Sequence, residues 1–216
     1  MIRDITKLHG LYAITDSGLC PRERIFQQVE EALCGGARVI QYRDKSLDRD
    51  RREAEARGLL EHCQRHDALL IINDDIQLAR SSGAHGVHLG REDASPAEAR
   101  ALLGADAVIG RSCYNRLELA RQAARDGADY IAFGRFFPSL TKPDAVQADA
   151  GLLRSAKQAF DTPLVAIGGI TPENGAPLIE AGADMLAVIH GVFGQPDIQA
   201  ASRHLSALFT PQEKNS

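Results

Sequence analysis

The sequence predicts a single α/β domain folded as a (β/α)₈ barrel, and three observations carry that prediction. Eight short apolar runs are separated by longer amphipathic stretches; a Gly-Ala pair precedes five of those runs; and the polar clusters follow the runs rather than precede them. The runs are residues 11–14, 39–42, 69–72, 86–89, 107–109, 130–133, 164–167 and 185–189. Short Val- and Ile-rich runs bounded by turn residues fit strands buried on both faces. Eight of them in 216 residues give one βα unit about every 27 residues. Strand and helix in alternation make a parallel sheet, and eight units favour closure over an open sheet.

The intervening helices have their own signals. Ile25, Val29 and Leu33 recur every four residues, placing them on one face of a helix that starts near Pro21. The stretch 46–65 is helical by propensity and heavily charged, so it is expected on the outside. Ser95-Pro96-Ala97-Glu98 reads as a capping box with proline at the first helical position. Asn115 with Glu118, and Thr171-Pro172, mark two weaker starts. The Gly-Ala pairs fall at 36–37, 83–84, 104–105, 127–128 and 182–183. A glycine there suits the left-handed residue that ends one helix before the next strand begins. The whole chain, 1–216, reads as one domain, with a frayed tail over 210–216.

Composition narrows the function. A formal net charge of −4 argues against general nucleic-acid binding, which needs a basic face. The N-terminal MIRDITKLHG lacks the apolar core of a signal peptide, and the longest apolar runs are far too short to span a bilayer. The four cysteines, Cys20, Cys34, Cys63 and Cys113, have no CxxC spacing and are expected as reduced thiols of a cytoplasmic protein.

In a barrel, the strand ends converge on the carboxyl-terminal mouth, where active sites are built. Gln41, Arg43 and Lys45 alternate after the second run, so extended geometry turns all three to one side. Two cations and an amide suit a polyphosphate; the competing reading is a charged loop with Arg43 or Lys45 paired to Asp44 or Asp48. Asn73-Asp74-Asp75 follows the third run and Asp93 the fourth, and carboxylates from adjacent strand ends make a site for Mg²⁺. One of Asp74 and Asp75 is also a candidate helix cap. His88 suits a structural or a ligand-contacting role equally. Residues 134–143 form a long polar loop with Ser139, Thr141 and Lys142, fit to cover a substrate. Gly168-Gly169 after the seventh run makes a candidate phosphate nest, with His190-Gly191-Val192 supplying the half from the eighth.

In this order the motifs resemble the thiamine-phosphate synthase family. The resemblance runs from Leu11-Tyr12-Ala13-Ile14-Thr15-Asp16 to about Phe193. Its most specific segments are residues 41–45, Ile72-Asn73-Asp74, Gly86-Val87-His88-Leu89-Gly90 with Glu92-Asp93, and residues 133–142. The resemblance implies a pyrimidine diphosphate and a thiazole phosphate as substrates, with Mg²⁺ held by Asp74 and Asp93. It places Gln41, Arg43, Lys45, Asn73, Ser112 and Lys142 around the pyrophosphate and pyrimidine, with Lys142, Arg43 and Ser112 as the catalytic groups. Ser139 and Thr141, with the backbone at Gly169, Ile189 and His190, would hold the thiazole phosphate. A homo-oligomer is admitted by the resemblance alone. The chain departs from the family pattern at Arg91, Arg135, Ser139 and His190.

Two other classes were weighed. A thiazole tautomerase on the same barrel is expected to carry a histidine at the fifth strand end, where this chain has Arg111-Ser112-Cys113-Tyr114-Asn115. A non-catalytic phosphate sensor would need the nest but neither the carboxylates nor the pyrophosphate cations.

Overall fold

A computed structural model describes residues 5–138 and 147–210. Eight parallel strands close on one another in sequence order, β8 pairing with β1. They are β1 (Gly10–Ile14), β2 (Ala37–Tyr42), β3 (Leu69–Asn73), β4 (Gly86–Leu89), β5 (Val108–Tyr114), β6 (Tyr130–Gly134), β7 (Leu164–Ile167) and β8 (Met185–Val188). The helices between and after them are α1 (Ile25–Cys34), α2 (Arg49–Arg65), α3 (Ile76–Ser82), α4 (Pro96–Leu103), α5 (Leu117–Arg125), α6 (Ala150–Ala159), α7 (Ala176–Glu180), α8 (His190–Phe193) and α9 (Ile198–Ala207). The expected barrel is the fold observed.

Strand alternation divides the apolar side chains into two cores. Tyr12, Val39, Ile71, Val108, Tyr130, Val165, Met185 and Ala187 fill the barrel interior. Their neighbours Leu11, Ile40, Leu70, Ile72, Ile109, Ile131, Leu164 and Leu186 face outward, where the helices cover them. This double burial is why the runs read as continuous rather than alternating. The five glycines of the Gly-Ala pairs all take left-handed φ, between 74° at Gly83 and 111° at Gly182, as helix-ending residues should.

Ser95 accepts from Glu98 N and the Glu98 carboxylate accepts from Ser95 N, completing the predicted capping box. Three expected helix starts are corrected. Pro21 opens a turn, and α1 begins at Ile25. Asn115 caps nothing among the described residues, because β5 runs on to Tyr114 and α5 starts at Leu117. Thr171-Pro172 begins a turn closed by Gly175 N donating to Thr171 O, and the Asn174 side chain takes the Thr171 N–H, so α7 waits until Ala176. β5 is also longer than the expected 107–109. In its continuation Ser112 meets His88 Nε2 at 2.8 Å, while Arg111 turns to Ala94 O at 2.7 Å. Of the tail expected to fray, only Thr210 lies among the described residues.

Candidate active site

A cavity of about 390 Å³ opens at the carboxyl-terminal ends of the strands. Gln41, Arg43, Ser112, Gly169, Ile189 and His190 all line it, six of the residues expected at the site. Gln41 is the inward residue near the end of β2, and Arg43 follows at the rim. Tyr42 between them points outward, donating to Glu55 on α2. The alternation expected for Gln41 and Arg43 therefore holds. The loop pairing weighed for Arg43 does not: its guanidinium reaches Asp16 at 3.2 Å, while Asp44 is paired with Arg51.

Beneath the cavity a chain of hydrogen bonds crosses the barrel. Gln41 Nε2 donates to the Tyr12 hydroxyl (2.7 Å), which lies 2.8 Å from the Tyr130 hydroxyl. Tyr130 lies 3.1 Å from His88 Nδ1, and His88 Nε2 lies 2.8 Å from Ser112 Oγ. The Gln41 amide nitrogen only donates, whereas the two phenols, the imidazole and Ser112 can each donate or accept, so beyond Tyr12 the chain can run in either direction. Ser112, tied to His88 at its base, borders the cavity. Burial raises both tyrosine pKa values far above the ordinary range, so the relay carries no phenolate. The His88 ring also stacks on Tyr130 with centroids 5.6 Å apart. His88 thereby links Tyr130 to Ser112 and holds the cavity-lining hydroxyl in place.

Sequence reasoning missed Tyr12 and Tyr130. A signal was present: they are the two hydroxyl-bearing residues of an otherwise apolar inner layer, and Gly110 sits mid-strand opposite Tyr130. A Cβ on Gly110 would come 2.0 Å from Tyr130 Cζ, so the glycine clears space for the ring. A register shift between Ser112 and Tyr114 explains the rest of β5. Cys113 turns into the outer core, while Tyr114, with φ of 55°, reaches the cavity. Burial pushes the Cys113 thiol up to about 12, leaving it protonated and inert. Cys113→Ser is therefore expected to keep turnover within about twofold while lowering Tm through the buried hydroxyl; steady-state rates beside a melting curve check both.

Lys45, Asn73, Asp74 and Asp93 do not line that cavity; they gather beside it, at the ends of β2, β3 and β4. Asp75 caps α3 through Leu78 N and pairs with Arg52, resolving which aspartate is the cap. Asp74 takes a left-handed φ of 63° and donates its backbone N–H to His88 O. That conformation brings its carboxyl against Asp93, whose own carboxylate accepts from Gly90 N at 2.7 Å. Burial and the adjoining Asp93 raise the Asp74 pKa, while the Lys45 charge and the Asn73 side chain pull it down. Two apposed carboxyls that strain against joint ionisation are a donor set suited to a hard divalent cation.

The opposite wall is the Gly168-Gly169 turn, with φ of 107° and 64°. Cβ atoms there would lie 2.3 Å from Arg135 Cβ and 2.3 Å from Pro138 O, respectively. Glycine is needed both for the left-handed turn and for the close approach of the loop after β6. Ser139, Thr141 and Lys142 of that loop lie outside the described residues.

Fold and site together define a class: a (β/α)₈-barrel enzyme whose mouth sets two apposed aspartates beside a glycine-walled cavity. A profile of the family described as thiamine monophosphate synthase matches residues 11–192, and the chain belongs to that family. It is 52% identical to a thiamine-phosphate synthase of Thioalkalivibrio sulfidiphilus, over 94% of this chain and 96% of that one. It is 53% identical to the thiamine-phosphate synthase of Nitrosococcus oceani, over 91% of each chain. Among solved structures, a thiamine phosphate pyrophosphorylase from Pyrococcus furiosus superimposes with a TM-score of 0.86 at 33% identity, covering 95% of this chain and 97% of that one. By this kinship the protein is a transferase. Among the described residues no helix is long and apolar enough to cross a membrane.

Proposed function

We propose that the protein joins 4-amino-2-methyl-5-hydroxymethylpyrimidine diphosphate to 4-methyl-5-hydroxyethylthiazole phosphate, giving thiamine phosphate and pyrophosphate. The observation that carries this reading is the juxtaposition, at one barrel mouth, of the Asp74/Asp93 corner with a cavity holding Arg43, Ser112 and the Gly168-Gly169 turn.

The bond that breaks joins the pyrimidine methylene carbon to a diphosphate oxygen, and its electron pair leaves with pyrophosphate. The electron-rich aminopyrimidine stabilises the methylene cation, and the thiazole nitrogen lone pair forms the new C–N bond. Arg43 and Lys45 face the departing charge, with Arg43 exchanging Asp16 for a phosphate oxygen, and the Ser112 O–H donates a further hydrogen bond. Gln41, fixed by Tyr12, orients the pyrimidine, and Asn73 steadies the acidic corner. Asp74 and Asp93 are the residues to hold Mg²⁺, which when bound supplies neutralisation of the pyrophosphate charge. The Gly168-Gly169 backbone with the turn at Ile189 and His190 holds the thiazole phosphate, aided by Ser139 and Thr141. No protein nucleophile or general base is required, because holding the thiazole nitrogen beside the cation suffices.

The test is pyrophosphate release by the purified protein, with Mg²⁺ and the thiazole phosphate each present or omitted. Release that needs both, with thiamine phosphate formed in equal amount, is the expected result; a folded protein releasing none overturns the reading. Within it, Lys142→Ala should lower kcat by about 10²- to 10³-fold by removing a charge from the leaving group. Near-normal turnover in that variant would exclude Lys142 from the mechanism.

A further inference from the structure

We propose that the carboxyl-terminal ends of α1 and α2 form a binding site for a borderline-soft divalent cation of the Zn²⁺ class, with Glu30, Cys34 and His66 as ligands and His62 beside them. Glu30 and Cys34 are one turn apart on α1, and His62 and His66 one turn apart on the second helix, so each pair shares a helix face. The carboxylate oxygen, the sulfur and the His66 ring nitrogen all lie within 4.8 Å of one another. Zn²⁺ bond lengths place donors of a tetrahedral site roughly 3.4–3.8 Å apart, a separation these partly exposed side chains reach by rotation.

The hydrogen bonding within the cluster also points to a cation. Glu30 Oε1 lies 2.7 Å from His66 Nε2, while Oε2 meets His62 Nδ1 and lies 3.2 Å from Arg65 Nη2. The same His62 Nδ1 lies 2.8 Å from Arg65 Nη2. A guanidinium only donates and a carboxylate only accepts, so one ring nitrogen cannot satisfy both. A cation held by the Glu30 carboxylate takes that acceptor away from His62 Nδ1 and removes the conflict. Arg65, whose side chain is 55% exposed, is free to swing into solvent. The Phe26 ring stacks on His62 at 5.8 Å and limits its orientation.

Mixed sulfur, nitrogen and oxygen donors select Zn²⁺-like ions over Mg²⁺, whereas the Asp74/Asp93 corner offers oxygen alone. The two sites also lie at opposite ends of the barrel. Cys34 ends α1 just before β2, and His66 follows α2 just before β3, on the face away from the mouth. An ion there ties α1 to α2 and serves stability rather than turnover.

The experiment is a Co²⁺ titration of the chelator-treated full chain, followed by absorption. One Co²⁺ per chain is expected, with a thiolate-to-metal charge-transfer band and intense visible bands of tetrahedral coordination, both abolished by Zn²⁺. Cys34→Ser should lose the charge-transfer band, and His66→Gln should weaken binding at least about tenfold. Cys34 is exposed and His66 half-buried, and circular dichroism verifies the folding of both variants. Asp74→Asn should leave the spectrum unchanged. Zn²⁺ should raise the wild-type Tm and leave that of Cys34→Ser unmoved. Absence of the thiolate band in the wild-type protein, or an unaltered spectrum in Cys34→Ser, overturns the proposal.

Discussion

Asp74→Asn is expected to cut kcat/KM by about 10²- to 10³-fold, the scale of removing one group that stabilises developing charge. The Mg²⁺ concentration for half-maximal rate should rise with it, because the carboxamide keeps one oxygen and loses the charge. Asparagine accepts the left-handed conformation of this residue more readily than most side chains, so the backbone at the end of β3 should hold. The same substitution should stabilise the metal-free protein. Burial and Asp93 raise the Asp74 pKa above its unfolded value, so the folded state binds more protons and stability falls as pH rises through that shifted value. Removing the ionisable group removes that loss, and the metal-free Tm at neutral pH should rise. Activity and metal-free stability moving in opposite directions is the diagnostic outcome. An unchanged Mg²⁺ titration would remove Asp74 from the ligand set.

Gly168→Ala should be the most disruptive single change in the opposite wall. Its φ of 107° is closed to ordinary side chains, and the new Cβ would meet Arg135 Cβ at 2.3 Å and Arg135 Cα at 2.7 Å. The backbone partner cannot give way as the tip of a flexible side chain would. Strain and overpacking together should cost about 2–5 kcal/mol, lowering Tm by roughly 5–15 °C. The surviving folded protein should show a raised KM for the thiazole phosphate above all, since the turn shapes that end of the cavity. An unperturbed KM for that substrate, measured below the variant's Tm, would show that the turn does not hold the phosphate.

The strands were legible because a fully buried strand needs consecutive apolar residues, and the five left-handed glycines because few other residues end a helix that way. The Asp74/Asp93 corner was legible as well, since both aspartates follow neighbouring strands of a parallel barrel. Less legible were the starts of α5 and α7. Asn115 and Thr171 carry ordinary capping side chains, but the extension of β5 and the Asn174 side chain claim those positions first. These competitions depend on partners that local pattern does not reveal.

Residue type and period thus determined the barrel, its mouth and the chemistry gathered there, since burial and turn geometry act over a few neighbouring residues. Only the tertiary structure decided that Asp75 caps while Asp74 turns to Asp93, that Arg43 pairs with Asp16, and that Gln41 and Ser112 are joined through Tyr12, Tyr130 and His88. The physical reason is closure: bringing β1 against β8 makes partners of side chains 118 residues apart, such as Tyr12 and Tyr130, and no local preference encodes that distance.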